Sequence, residues 1–163
     1  MAASPTLTTQ RLLLRPWHLD DAPELRERID DPLVAATTLT IPHPYSLDDA
    51  KGYIGSRPAA FESGEDVSFA ITRRADGRIV GGISLDIETG PRRAEVGYWI
   101  AQEVWNQGFA TEATAAVFDH AFRDLDLRRV TAYHKPGNDA SARVMVKCGM
   151  RYEGVLRDWA VIL

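Results

Sequence analysis

The sequence predicts a mixed α/β fold, a mainly antiparallel central sheet flanked by helices, and three features point to it. Two runs of β-branched and apolar residues, Val67 to Thr72 and Ile79 to Ile87, are joined by Arg74-Ala-Asp-Gly77, whose Asp-Gly pair is a strong hairpin signal. A third run, Ala94 to Ala101, alternates Val96, Tyr98 and Ile100 with Glu95, Gly97 and Trp99. Helical periodicity brackets this block on both sides. The resulting order, β-α-α-β-β-β-α-β-α-β, lacks the strict alternation of a doubly wound parallel sheet.

Taken in order, Arg11 to Arg15 is a short apolar run closed by Pro16, which suits a first strand. Asp20 and Asp21 open a helix with Ala22, Leu25 and Ile29 at helical spacing, and Asp30-Asp31-Pro32 ends it and starts a second short one. The prolines of Ile41-Pro-His-Pro-Tyr45 forbid helix there, and Ser46 with Asp49 three residues on is an N-cap for a helix reaching about Phe61. After the three central strands, Phe109 to Leu125 places Ala110, Ala113, Val117 and Ala121 along one helical face. Arg128 to His134 reads as a strand. Asn138 to Cys148 reads as a helix with Asn138 as N-cap and Gly149 just past its end, and Met150 to Leu156, or onward to Leu163, as the last strand.

The bulk composition narrows the function. With 163 residues, 45% of them hydrophobic, the chain is expected to be one domain over 1–163, burying roughly 70% of its unfolded surface without staples. A single cysteine excludes an internal disulfide framework and a cysteine-rich zinc site. His18, His43, His120 and His134 lie on different elements with no ligand spacing, so no metal is expected. A net charge of −4 argues against a nucleic-acid or anionic-membrane binder. No window reaches the ~20 apolar residues of a membrane span, and Met-Ala-Ala-Ser-Pro has no signal-peptide pattern, so the expectation is a cytoplasmic protein.

The chemistry concentrates where the third central strand feeds the following helix through Gln102-Glu-Val-Trp-Asn-Gln-Gly108. A strand that enters a helix through glycine presents unpaired N–H groups reinforced by the helix dipole, which is an anion site. Gly108 and Ala110 are small enough for a phosphate to approach, and Thr111 offers a hydroxyl. No Lys or Arg occurs between Ala94 and Phe122, so a phosphate would rest on amides and dipole, unlike a P-loop with its lysine. The plain alternative is an ordinary turn flanked by core tryptophans, Trp99 and Trp105.

Gly97-Tyr-Trp-Ile, Trp105-Asn-Gln-Gly-Phe-Ala-Thr-Glu-Ala113 and Asn138-Asp-Ala-Ser-Ala-Arg-Val-Met-Val-Lys-Cys-Gly-Met150 together resemble the GNAT superfamily of acetyl-CoA-dependent N-acetyltransferases. Thr9-Gln-Arg-Leu-Leu-Leu-Arg-Pro-Trp17 and Ile41-Pro-His-Pro-Tyr45 resemble its ribosomal-protein N-terminal acetyltransferase (Rim-type) branch, so the likeness covers nearly the whole chain. The resemblance implies that Asn106, Gln107, Gly108, Phe109, Ala110 and Thr111 hold the pyrophosphate of coenzyme A. Trp105 stands where the general motif has Gln or Arg, a departure typical of this branch. By the same resemblance the backbone of Trp99 and Ile100 pairs with the pantetheine arm, and Asn138 contacts that arm. As a plain N-cap, Asn138 serves both roles only if its amide nitrogen faces the ligand.

Acetyl transfer to an amine needs a free amine, a polarised thioester carbonyl and a proton for the departing thiolate. Ser141 is the candidate proton donor, a common helix-start residue being the other reading. Glu95 is the candidate base through water, an exposed strand carboxylate being the alternative. The amine needs little help if its pKa is low, as for an α-amino group at about 7.7–8.0. His43 and Tyr45 border the acceptor groove in relatives and are candidate substrate contacts or plain loop residues. Arg143 and Lys147 are candidates for the 3′-phosphate or simply solvated charges. Cys148, at a helix C-terminus, is read as a core residue and not a nucleophile.

Relatives continue past Arg157–Leu163 with one more strand, which implies a fold lacking its final strand and an unpaired edge on Arg128 to His134. The edge is then expected to reflect a truncation, or to be covered by a partner subunit in a homodimer or by a rearranged C-terminal segment. The resemblance favours acetyl transfer to a protein or peptide N-terminal α-amine by direct attack in a ternary complex. A small amine such as an antibiotic or polyamine, a non-catalytic acyl-CoA-binding module and an unrelated nucleotide-binding α/β domain are the alternatives.

Overall fold

The computed structural model describes residues 3–160. Six strands form one sheet in chain order: β1 (Leu7–Thr8), β2 (Leu12–Arg15), β3 (Asp66–Arg73), β4 (Ile79–Glu88), β5 (Arg93–Ile100) and β6 (Arg129–Thr131). The first five are antiparallel neighbours, and β6 joins β5 in parallel. Helices α1 (Ala22–Ile29), α2 (Pro32–Thr37) and α3 (Leu47–Glu62) come before β3. Helix α4 (Phe109–Arg123) leads into β6, and α5 (Asp139–Lys147) follows it.

Local chemistry accounts for the boundaries. Asp31 caps α2 by accepting from Leu33 N at 2.7 Å and Val34 N at 3.3 Å. Ser46 and Asp49 form the expected reciprocal cap on α3, with Asp49 N donating to Ser46 Oγ at 3.0 Å and Ser46 N to Asp49 Oδ2 at 2.8 Å. Gly77 turns the β3–β4 hairpin at φ 73°, its N–H donating to Arg73 O at 2.7 Å.

Pleating sorts the sheet's two faces. Phe69, 1% exposed, meets the ring of His120 edge-on at 6.3 Å, which puts the odd residues of β3 against α4. The even residues face α3, where Tyr53 and Ser68 share a hydroxyl hydrogen bond of 2.7 Å and Arg57 lies 3.3 Å from Asp66. Leu12, Leu14, Ile71, Ile83, Leu85 and Val117 complete the centre of a single apolar cluster. Burying each such side chain stabilises the fold by about 1.5–3 kcal/mol.

Two expectations fail at the C-terminal end. The strand expected from Arg128 to His134 is confined to Arg129–Thr131, and Met150 to Leu156 forms no strand. The reason is pairing: a strand exists by its ladder, and residues 150–160 meet β6 and the loop after it through side chains alone. Arg129 donates to Glu153 at 2.5 Å, and the rings of Tyr133 and Trp159 stack at 4.6 Å. Alternating apolar residues are thus not sufficient for a strand where no backbone partner lies alongside. The two-residue β1 was not foreseen from sequence.

Candidate active site

Where β5 and β6 part, the sheet opens. Their parallel ladder has only three rungs, Arg93 with Arg129, Ala94 with Val130 and Glu95 with Thr131. Beyond Glu95 the free side of β5 faces a cavity of about 320 Å³, closed by the turn after β5, the N-terminus of α4 and the first turns of α5.

Strand alternation decides which backbone groups look into that gap. Ala101 N donates to Val80 O at 2.9 Å, and Trp99 lies in register with Gly82. The odd residues of β5 therefore turn N–H and C=O toward β4, and Val96, Tyr98 and Ile100 turn theirs toward the gap. The Trp99 peptide groups therefore belong to the β4 ladder, unlike the expectation, and those of Tyr98 face the gap. The Ile100 carbonyl accepts from Trp105 Nε1 at 2.7 Å, which leaves the Ile100 N–H for another partner.

The turn into α4 is shaped for close approach. Asn106 and Gly108 both lie at positive φ, 60° and 81°, and Gly108 contributes no side-chain cap. The amides of Phe109, Ala110 and Thr111 thus begin a helix of fifteen residues with no capping oxygen from the preceding residue. Successive N–H groups turned through left-handed positions make a concave anion cradle.

Opposite, α5 presents Asn138 and Ser141. Asn138 Oδ1 accepts from Ser141 N at 3.2 Å, the expected cap, while its Nδ2 donates to Thr37 O at 3.3 Å. One of the two amide hydrogens is committed to α2, and the other remains for a ligand. Ser141 Oγ lies 2.9 Å from the Tyr98 hydroxyl. Burial pushes the Tyr98 phenol above its ordinary value despite the opposing Ser141 bond, so it stays protonated at neutral pH. Arg143 and Lys147 line the same cavity, and neither forms an ion pair among the described residues.

One cavity thus gathers Trp99, Ile100, Asn106 to Thr111, Asn138 and Ser141, ten positions drawn from three separated stretches of chain. Three other candidates lie outside its lining. Glu95 occupies the last β5–β6 rung, at the apex of the gap, in register with Asp86 on β4. Burial, then the Asp86 charge, raises its carboxyl above the usual range. His43 and Tyr45 are both tied to Asp30, His43 Nδ1 at 3.1 Å from its Oδ1 and Tyr45 N donating to the same oxygen at 2.7 Å. The Tyr45 side chain is a core residue, 6% exposed, and burial pushes its phenol up to about 12. Cys148 donates weakly to Thr111 O at 3.6 Å, and burial raises its thiol, the opposite of an activated nucleophile. Among the described residues no three His, Cys, Asp or Glu side chains cluster as metal ligands, and no helix is long and apolar enough to cross a membrane.

Residues 11–151 match the family model for the acetyltransferase (GNAT) domain. The chain belongs to the GNAT acetyltransferase family. This acetyltransferase is 31% identical over 157 residues to the N-acetyltransferase p20 of Bacillus licheniformis, covering 94% of this chain and 86% of the relative. It is 31% identical over 81 residues to the ribosomal-protein-serine acetyltransferase of Escherichia coli, covering 49% of this chain and 45% of that one. Its fold superposes on Mycobacterium smegmatis RimJ in complex with CoA-disulfide with a TM-score of 0.87 and 24% identity, covering 98% of this chain and 81% of RimJ.

Two residues of this acetyltransferase's site escape sequence reasoning. Tyr98 reads as one inward position in an alternating strand, and only the meeting of β5 with α5 shows its hydroxyl against Ser141. Arg11 lies 97 positions before Gly108, yet its Nη1 donates to Gln107 O at 2.8 Å and its guanidinium covers the Phe109 ring at 4.6 Å. The absence of cations between Ala94 and Phe122 is true of the sequence and not of the space around the turn.

Proposed function

We propose that this GNAT enzyme takes the acetyl group of acetyl-CoA and delivers it to the α-amine of a protein or peptide N-terminus, in the cytoplasm and by direct attack in a ternary complex. The observation that carries the coenzyme is the union, in one cavity, of an uncapped helix N-terminus behind a left-handed glycine with the free edge of β5. The first suits a diphosphate, and the second suits an amide-bearing arm that pairs like a short strand. RimJ, the same fold, was crystallised with a coenzyme A disulfide, which supports this placement. The acceptor rests on the alignment of half the chain with a ribosomal-protein-serine acetyltransferase.

The chain's residues divide the work. The amides of Gly108 to Thr111 hold the pyrophosphate, with Asn106 and Gln107 shaping the turn. Tyr98 and Ile100 peptide groups align the pantetheine arm, and the remaining Asn138 hydrogen contacts it. Acetyl-CoA supplies an activated thioester whose carbonyl is polarised by a backbone N–H on the free edge of β5. Ser141 donates a hydrogen bond to the departing thiolate, while Glu95 accepts the ammonium proton through water at the apex of the gap. His43, exposed in the loop before α3, is the acceptor contact nearest the protein surface, and Tyr45 supports that loop from the core.

Calorimetric titration with acetyl-CoA, beside ATP and NAD, tests the coenzyme. Selective binding near one site per chain is expected, and equal or better binding of ATP or NAD overturns the reading. Thiol release with N-terminal peptides, polyamines and aminoglycosides then tests the acceptor. Faster turnover of a small amine than of any peptide assigns the enzyme to small-molecule acetylation, and binding without release to any amine makes it an acyl-CoA-binding module.

A further inference from the structure

We propose that Arg11 is a positioning residue for the phosphate-holding turn ahead of α4, bracing that turn from outside the gap so that its amides face the pyrophosphate. The inference rests on the coenzyme reading above. Arg11 precedes β2, three places across the sheet from β5, and reaches the turn with two of its guanidinium nitrogens engaged on different partners. Nη1 holds the Gln107 carbonyl at 2.8 Å, and Nε meets Glu112 Oε2 at 2.7 Å. The fork therefore spans Gly108, tying the residue before it to the first turn of the helix after it.

The Gln107 carbonyl is committed to Arg11, and across a trans peptide the following N–H points the opposite way. Fixing that oxygen thus fixes the direction of the Gly108 amide, which belongs to the cavity lining. The guanidinium also lies over the Phe109 ring at 4.6 Å, and its Nη2 comes within 3.3 Å of the space a Gly108 Cβ would fill. Nη2 itself has no hydrogen-bond partner among the described residues. Asn106 holds φ 60° without glycine's freedom, and Arg11, bound to the carbonyl of the next residue, constrains the turn there.

Charge is the second contribution. Glu112, in the first turn of α4, would repel a diphosphate held at the same helix end. Its carboxylate is instead saturated by Arg11 Nε, by Arg11 N at 2.8 Å and by the Thr9 hydroxyl at 2.6 Å. Burial opposes ionisation there, but these donors bring the Glu112 carboxyl below its usual value, so the acid and the guanidinium persist as an ion pair. The turn therefore presents its amides with the helix's own acid neutralised by the Arg11 ion pair.

Titration with coenzyme A, 3′-dephospho-coenzyme A and pantetheine tests this on wild type, Arg11→Ala and Arg11→Lys, each checked by thermal melting. Arg11→Ala is expected to bind both nucleotides at least tenfold more weakly with pantetheine unchanged, because pantetheine lacks the pyrophosphate. Arg11→Lys keeps the charge and loses the fork, so it is expected to recover part of that loss; it carries the test if the alanine variant does not fold. Equal losses for all three ligands, or no loss for any, would overturn the positioning role while leaving the coenzyme reading standing. A wild-type protein that binds neither nucleotide would overturn both.

Discussion

The hydroxyls of Tyr98 on β5 and Ser141 on α5 lie 2.9 Å apart across the gap that opens beyond the last β5–β6 rung. With the phenol held protonated by burial, Tyr98 can donate into Ser141 Oγ and leave the serine hydrogen for a thiolate. Ser141→Ala is expected to lower kcat by about 10²-fold, within the range for a positioned proton donor, with the Kd for acetyl-CoA unchanged. Tyr98→Phe should lower kcat less, and the double variant no further than Ser141→Ala alone, because the two act in series. Additive losses would separate Tyr98 from the acid. Both deficits should shrink with an aryl thioester, whose leaving group needs no proton.

Glu95 makes a different prediction because its carboxyl is raised, first by burial and then by Asp86. A base must be ionised to work, so turnover should fall as pH drops through a value above the ordinary carboxylate range. Glu95→Gln is expected to remove that acidic limb from the pH profile of kcat/KM and to lower its plateau by about 10²-fold. A limb that survives the substitution belongs to another group and takes Glu95 out of the mechanism.

Gly108→Ala probes the turn itself. At φ 81° an L-residue is strained by about 1–2 kcal/mol, and the new methyl would meet Arg11 Nη2 at 3.3 Å. The melting temperature should fall by about 5 °C, and coenzyme A should bind more weakly than this loss of stability alone explains. Unchanged coenzyme affinity would place the pyrophosphate elsewhere.

What the sequence makes legible is local, and what it hides is mostly long-range. The Ser46–Asp49 cap, the Asp76–Gly77 hairpin and the glycine entry to α4 are each decided within a few residues, and each forms as read. The fate of Met150 to Leu156 depends on whether a backbone lies alongside, which no local pattern records. The peptide orientation of Trp99 depends on the β4 register, set by a pairing that alternation alone leaves open. Tyr98 with Ser141 and Arg11 with Gln107 are 43 and 96 positions apart, so only the fold joins them. Tyr45 is the converse case: an aromatic in a proline-rich loop suggests exposure, yet Asp30 holds the loop against the core and the ring is buried.

Asp66 carries a stability signature independent of catalysis. It is 5% exposed, lies 3.3 Å from Arg57 and sits in register with Asp86, and burial drives its carboxyl up to about 6 from 3.8. Because the folded pKa is the higher one, the fold prefers the neutral acid. That preference is complete below about pH 4 and is lost as pH rises through about 6. A two-unit rise corresponds to at most about 3 kcal/mol, less where Arg57 and solvent relax around the charge. Urea unfolding of wild type and Asp66→Asn at pH 4 and pH 7 isolates the effect, since Asn cannot ionise. The difference between the two proteins should move by about 1–3 kcal/mol against the wild type on going to pH 7. A shift of the opposite sign would mean that the Arg57 ion pair outweighs burial and that Asp66 is ionised well below pH 6.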